Sequence, residues 1–182
     1  MNSREKILKA LEASDTAPDT LPELKIDPVS FEEPIDTFAQ SLKAAGGEVV
    51  KPKGELTQAI LEAFNETDCL VDTRAMQVIL PDDPEGIDLL ILEAQFGVAE
   101  NGAVWIDPQE HYPRALLTLA KNLAVVLPKE FIVPTMHEAY EKIDLSDISY
   151  ALFLSGPSKT ADIEQSLVIG AHGAIGMKVF LV

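Results

Sequence analysis

Tyr150-Ala151-Leu152-Phe153-Leu154, then Ser155-Gly156-Pro157-Ser158-Lys159-Thr160-Ala161-Asp162-Ile163-Glu164, then Gly170-Ala171-His172-Gly173, then Met177-Lys178-Val179-Phe180-Leu181-Val182: these four pieces set the reading of the whole sequence. The outer two are short apolar runs and read as buried strands. The small and polar residues between them read as a loop feeding a helix. Strand, loop, helix, strand is the unit from which α/β domains are built. In such domains ligands sit outside the carboxyl ends of the strands, which makes the loop the first place to look for chemistry.

Upstream the same alternation recurs. Phe31 to Ala45 carries Ile35, Phe38 and Leu42 on one helical face and stops at Gly46-Gly47. Glu48-Val49-Val50 follows as a strand, Glu55 to Asn65 as a second helix, and Cys69-Leu70-Val71 as a buried strand. Pro81-Asp82-Asp83-Pro84-Glu85-Gly86 is a turn. Leu89-Leu90-Ile91-Leu92, Ala103-Val104-Trp105-Ile106 and Leu123-Ala124-Val125-Val126-Leu127 are strands, with a polar connection over 93–102 and a helical segment over 114–121. Ile132-Val133 is a short extended piece. Thr135 opens a helix through Ile143, with Glu138 completing a capping box. The expectation is an α/β domain of three layers over residues 31–182, a largely parallel sheet with helices on both faces. Residues 1–30 read as a small amphipathic helix (Ile7, Leu8 and Leu11 on one face) and a Pro-bearing linker, loosely attached.

The totals narrow the function. The formal charge of −16 repels phosphate backbones and anionic membranes, so nucleic acid is not an expected partner. No apolar run is long enough to cross a bilayer, and Met1-Asn2-Ser3-Arg4-Glu5-Lys6 has no secretion-signal core, which predicts a cytoplasmic protein. Cys69 is the single cysteine, so the chain makes no internal disulfide and cannot supply the roughly four thiolates of an iron–sulfur cluster. His111, His137 and His172 lie far apart, so no metal site is expected. Neither G-x-G-x-x-G nor a P-loop is present.

Three places can carry chemistry. In the first, Gly156 and Pro157 shape the loop while Ser155, Ser158, Lys159 and Thr160 offer hydroxyl and ammonium donors at a helix start, where free N–H groups favour an anion. The competing reading is that the hydroxyls only cap that helix. In the second, His172 between Gly170 and Gly173 is a proton shuttle or an inert partner of a backbone carbonyl. The expected helix puts it opposite the loop, so the two meet only if the fold or a second subunit brings them together. In the third, Glu100-Asn101-Gly102 is a carboxylate at a tight turn, a nucleophile or base, or simply a hairpin. His111 and Arg114 sit in an exposed loop and bind an anion or nothing.

Taken together, Ser155-Gly156-Pro157-Ser158-Lys159-Thr160-Ala161-Asp162-Ile163-Glu164 with Gly170-x-His172-Gly173 resembles the signature of the LUD domain, the lactate utilisation protein C family. The Gly97-Val98-Ala99-Glu100-Asn101-Gly102 turn and the Ile132-Val133-Pro134 step are similar to the family's as well. The resemblance implies a fold like that of the NagB, ribose-5-phosphate isomerase and CoA-transferase group. It implies work beside an iron–sulfur partner that oxidises L-lactate to pyruvate, with no cofactor bound by this chain and a small anionic metabolite as ligand. Ala99-Glu100-Asn101-Gly102 also looks like the CoA-transferase turn whose glutamate forms a thioester, which makes Glu100 the catalytic candidate. Ser155, Gly156, Ser158, Lys159, Thr160 and His172 are the candidate ligand-binding set. The sequence departs from the family at Ala120-Lys121-Asn122, where many members have Pro-Pro-x-His, and at His172-Gly173-Ala174 in place of His-Gly-Pro. An independent enzyme acting on a CoA thioester or sugar phosphate through Glu100, and a non-catalytic structural partner, stand as the alternatives; a homo-oligomer stays open.

Overall fold

Residues 2–12, 29–75, 78–108, 111–146, 148–160, 168–170 and 172–182 are described by a computed structural model. The linker read at Ser14–Pro22 and the body of the helix read after Thr160 fall outside these residues.

Helix α1 (Ser3–Glu12) has its stripe of Ile7, Leu8 and Leu11 in solvent. Helix α2 (Pro34–Ala44) starts with Pro34 in its first turn, where a missing N–H costs nothing, and fully buries Phe38 and Leu42. Its end is a Schellman motif: Gly47 N–H donates to Leu42 O, Gly46 N–H donates to Lys43 O, and Gly46 takes φ +89°. Strand β1 (Glu48–Val50) follows directly. Helix α3 (Leu56–Ala63) is capped by the Glu55 carboxylate, which accepts the N–H groups of Thr57 and Gln58 at 2.9 and 2.7 Å. Those N–H donors hold the Glu55 carboxyl below its usual range.

Strands β2 (Leu70–Asp72) and β3 (Leu89–Glu93) come next, then β4 (Phe96–Val98), β5 (Ala103–Ile106), the single-turn helix α4 (Leu116–Leu119), β6 (Asn122–Leu127) and β7 (Ile132–Val133). Helix α5 (Met136–Glu141) has the expected box: Thr135 Oγ1 accepts the Glu138 N–H and donates to the Glu138 carboxylate. Strands β8 (Leu152–Leu154), β9 (Lys159–Thr160), β10 (Val168–Ile169) and β11 (Gly176–Leu181) complete the chain.

Five strands form one parallel sheet in the order β1-β11-β6-β3-β2. Its central strands are apolar without a break, as strands buried on both faces must be: Leu89 to Leu92 are all fully buried. Leu89, Ile91, Ala124, Val126 and Phe180 turn to Ile60 and Phe64, beneath α3. The alternate residues, Leu90, Leu92, Leu123, Val125 and Val179, meet Phe38 and Leu42 of α2 and Leu116 of α4. The expected α/β domain with a parallel sheet is therefore present.

A second sheet shares that face. Four strands in the order β7-β4-β5-β8 pack Ala99, Val104 and Ile106 into the same core. Their other side carries Phe96, Trp105 and Phe153 against Ala139 of α5. This sheet exists because residues 96–98, read from sequence as part of a polar connection, are a fully buried strand paired with β5 and β7. The charged and amide side chains of Glu93, Gln95 and Glu100 flank Phe96-Gly97-Val98 and mask it.

Candidate functional site

The signature loop, His172 and the Glu100 turn lie at the amino end of the parallel sheet. Strand β8 runs opposite to β5, so the loop after β8 lies where β1, β6 and β11 begin. The loop is at the carboxyl end of its own strand but at the amino end of the five-stranded sheet.

There it grips the end of α2. Gly156 is buried at φ +74°, and a Cβ on it would stand 2.3 Å from Ala45 O. Lys159 Nζ donates to that same carbonyl, placing a cation on the negative end of the helix. Gly102, at φ +67°, lies flat on the helix one turn earlier, where a Cβ would come within 2.2 Å of Leu42 N. Ser155 Oγ donates to Asn101 O at 2.8 Å and joins loop to turn. Glu100 Oε2 accepts the Met136 N–H at 2.8 Å, so the exposed carboxylate supports the start of α5, while its own N–H donates to Pro134 O. The Asn-Gly turn is a hairpin, with Asn101 Oδ1 accepting the Ala103 N–H.

The reading of the loop's continuation needs correction. Ser158 is not a helix cap: its N–H donates to Ala174 O and its carbonyl accepts the Gly170 N–H. Lys159 and Thr160 pair antiparallel with Ile169 and Val168, so the expected end of the helix is strand. That pairing folds the signature back on itself. A Cβ on Gly173 would lie 3.1 Å from Ser158 Cβ. His172 therefore adjoins the loop within one chain, and no second subunit is needed to bring it there.

Exposed His172 faces a cleft of about 500 Å3, lined with Glu85, Thr118, Lys121, Gly173 and Ile175. The departure at Lys121-Asn122 has a structural explanation here. Lys121 Nζ donates to Asp88 Oδ1 at 2.6 Å, the other Asp88 oxygen accepts the N–H groups of Asp68 and Cys69, and the Asn122 amide donates to Asp88 O. Lys121, followed by the Cys69 N–H, keeps the Asp88 carboxyl below its usual range, and Asp88 in turn raises Lys121. Cys69 packs, half-buried, beside the main core.

The opposite end of the sheet holds a group the sequence reading did not single out. Asp72 ends β2, and the Arg74 side chain turns back on it with Nε–Oδ1 2.9 Å and Nη2–Oδ2 2.7 Å. Burial pushes the Asp72 carboxyl up, but hydrogen bonds from the Arg74 side chain and backbone, with its charge, outweigh that and leave it low. Arg74 lines a cleft of about 140 Å3 with Thr73, Glu93, Gln95, Asp107, His111 and Tyr112. Burial, helped by the Asp107 charge, pushes Tyr112 up to about 12. Gln95 and Asp107 also border a second cleft, of about 570 Å3, with Phe96, Trp105, Ile143 and Ile148 on its wall. The signal available in the sequence was position: Asp72-Thr73-Arg74 directly follows a strand. Of the two loop residues that were noted, His111 lies in the smaller cleft and Arg114 stacks over the Tyr150 ring at 5.4 Å. Among the described residues no three His, Cys, Asp or Glu side chains cluster as a metal site, and no helix is long and apolar enough to cross a membrane.

Comparison with known proteins bears on the amino-end assembly. A family model described as the LUD domain matches residues 80–182. A protein of Oceanobacillus iheyensis named lactate utilization protein C is 30% identical over 104 residues, 54% of this chain and 45% of its own length. Its namesake in Geobacillus kaustophilus is 34% identical over 98 residues, 50% of this chain and 41% of its own. The match thus spans less than half the length of these relatives. A crystal structure of a DUF162 family protein from Deinococcus radiodurans superposes with a TM-score of 0.62 at 17% identity, over 85% of this chain and 99% of that one, and shows the same fold.

Proposed function

The chain belongs to the LUD domain family, and from that premise we propose that it serves L-lactate utilisation as a subunit that works beside an iron–sulfur protein. The observation that carries this reading is the family match over 80–182 together with relatives named lactate utilization protein C. Oxidising lactate to pyruvate releases two electrons and two protons. A chain whose single thiol is Cys69 supplies too few thiolates for a cluster, so the electrons pass to a partner. The metabolite occupies the amino-end cleft, where His172 from the signature stands with Thr118 and Lys121. An ammonium has three donors and Asp88 accepts one, so Lys121 can take a carboxylate; the Thr118 hydroxyl donates to Ala115 O at 2.9 Å and is left as an acceptor, while the imidazole takes a hydroxyl.

Acyl chemistry at Glu100 has less support. Its Oε2 is held by the Met136 N–H, and its backbone is held by Pro134 and Ser41, so helix support accounts for it.

The test is genetic. A deletion strain should lose growth on L-lactate, the intact gene should restore it, and His172→Ala should restore it poorly. Unimpaired growth of the deletion strain, in a background without a second copy, overturns the reading.

A further inference from the structure

The two clefts at the carboxyl end of the sheet adjoin, with Gln95 and Asp107 on the wall of both. The smaller is charged and the larger is partly apolar. They lie beyond the carboxyl ends of β2 and β3, at the seam between the two sheets, where α/β folds place ligands. They share no lining residue with the His172 cleft, and the proposed function does not use them.

The charges in the smaller cleft select the ligand. Arg74 is bidentate to Asp72 through Nε and Nη2, the side edge of the guanidinium. A guanidinium has five N–H donors, so three remain, and two of them, one on Nη1 and one on Nη2, form its outer edge. That edge fits a carboxylate, and the Asp72 pair fixes its direction. A plain anion is nonetheless a poor match. Asp72 already balances Arg74, while Glu93 adds a further negative charge to the same wall, which Asp107, His111 and Tyr112 also line. The Glu93 carboxylate makes no hydrogen bond or ion pair among the described residues, and its charge reaches Arg74 only through space. A ligand must therefore bring a carboxylate for Arg74 and a cation for Glu93 together. The adjoining wall of Phe96, Trp105, Ile143 and Ile148 then receives an apolar group attached beside those charges.

We propose that this two-part cleft binds a free α-amino acid with an apolar side chain: its carboxylate on the outer edge of Arg74, its ammonium on Glu93 in the field of Asp107, and its side chain toward Trp105 and Ile148. The requirement for an ammonium separates this site from one for 2-hydroxy acids.

The experiment is isothermal titration calorimetry of the full chain with L-leucine and L-phenylalanine, beside L-2-hydroxyisocaproate, which lacks the ammonium, and L-leucinamide, which lacks the carboxylate. Binding of at least one amino acid is expected, with each analogue weaker about tenfold or more, the worth of one charge-assisted hydrogen bond. Glu93→Gln, an exposed change with little effect on folding, should weaken the amino acid about tenfold and leave hydroxyisocaproate unchanged or tighter. Arg74→Lys, whose ammonium still neutralises Asp72 but lacks the planar edge, should weaken both, with a thermal melt confirming the fold. Equal binding of leucine and hydroxyisocaproate, no binding by a panel of apolar amino acids at millimolar concentration, or unchanged affinity in Glu93→Gln overturns the proposal. None of these outcomes touches growth on lactate.

Discussion

Gly156→Ala is the sharpest probe of how the signature loop holds the fold. The native residue is at φ +74°, and an alanine Cβ would lie 2.3 Å from Ala45 O and 2.9 Å from Ala45 C. Two separate costs follow. Holding an L-residue in the left-handed region costs roughly 1–2 kcal/mol. Pushing a methyl group into packed backbone costs a further 1–3 kcal/mol or so. Ala45 cannot swing aside, because the Schellman bonds fix the residues around it and Lys159 donates to its carbonyl. The sum is about 3 kcal/mol, or a fall in Tm of about 6–12 °C for a domain of this size. Gly54→Ala supplies the reference, since Gly54 has φ +102° and no atom within 4 Å of the Cβ position. It should show the backbone cost alone, ~1–2 kcal/mol. Urea unfolding followed by far-UV circular dichroism gives both values, with equal slopes showing that the unfolding transition is the same. If the two variants lose the same stability, the loop is not wedged on α2 and the reasoning fails.

Lys159→Met should cost about 0.5–1 kcal/mol, the worth of a cation at a helix C-terminus, and 1 M salt should shrink the difference between variant and parent. Asp72 has a folded-state pKa below its unfolded one, so its pair with Arg74 stabilises the protein above about pH 4 and is lost as pH falls through the depressed value; Asp72→Asn should flatten that acid limb of an unfolding titration. Tyr112 is shifted the other way, to about 12, so it favours the folded state below about pH 10 and this contribution drains away between 10 and 12. An ultraviolet titration near 295 nm should show the last tyrosinate forming near 12, and Tyr112→Phe should remove that step.

Where a side-chain pattern is local, the sequence and the structure agree. The period of Ile35, Phe38 and Leu42 marks α2, Gly46-Gly47 marks its end, Thr135 with Glu138 marks α5, and the unbroken runs of Leu89–Leu92 and Leu123–Leu127 mark buried parallel strands. The second sheet was hidden because β4 is three residues long and begins beside Gln95, whose amide bonds the Asp107 backbone in both directions. Pairing between distant segments leaves no local trace, and the same holds for the site. Ser158 met His172's neighbour through β9 and β10, a two-residue ladder that no periodicity signals. Lys159 read as an anion-binding cation, and its partner is a backbone carbonyl 114 positions away in sequence. Arg74 and Glu93 face one cleft only because β2 and β3 are neighbours in the sheet.

Strand β11 lies between β1 and β6, in the interior of the parallel sheet, with Val50 opposite Phe180. A nascent chain that has just exposed β1 must wait while some 130 more residues are made, which takes roughly 6–26 s at the usual 5–20 residues per second. For roughly the last 50 of those residues β6 is present as well, and β6 and β1 each present an unpaired apolar edge. The cell then meets this protein first as an incomplete sheet, open to chaperones and to premature pairing with its own copies, and synthesis of residues 176–181 is the event that ends the exposure.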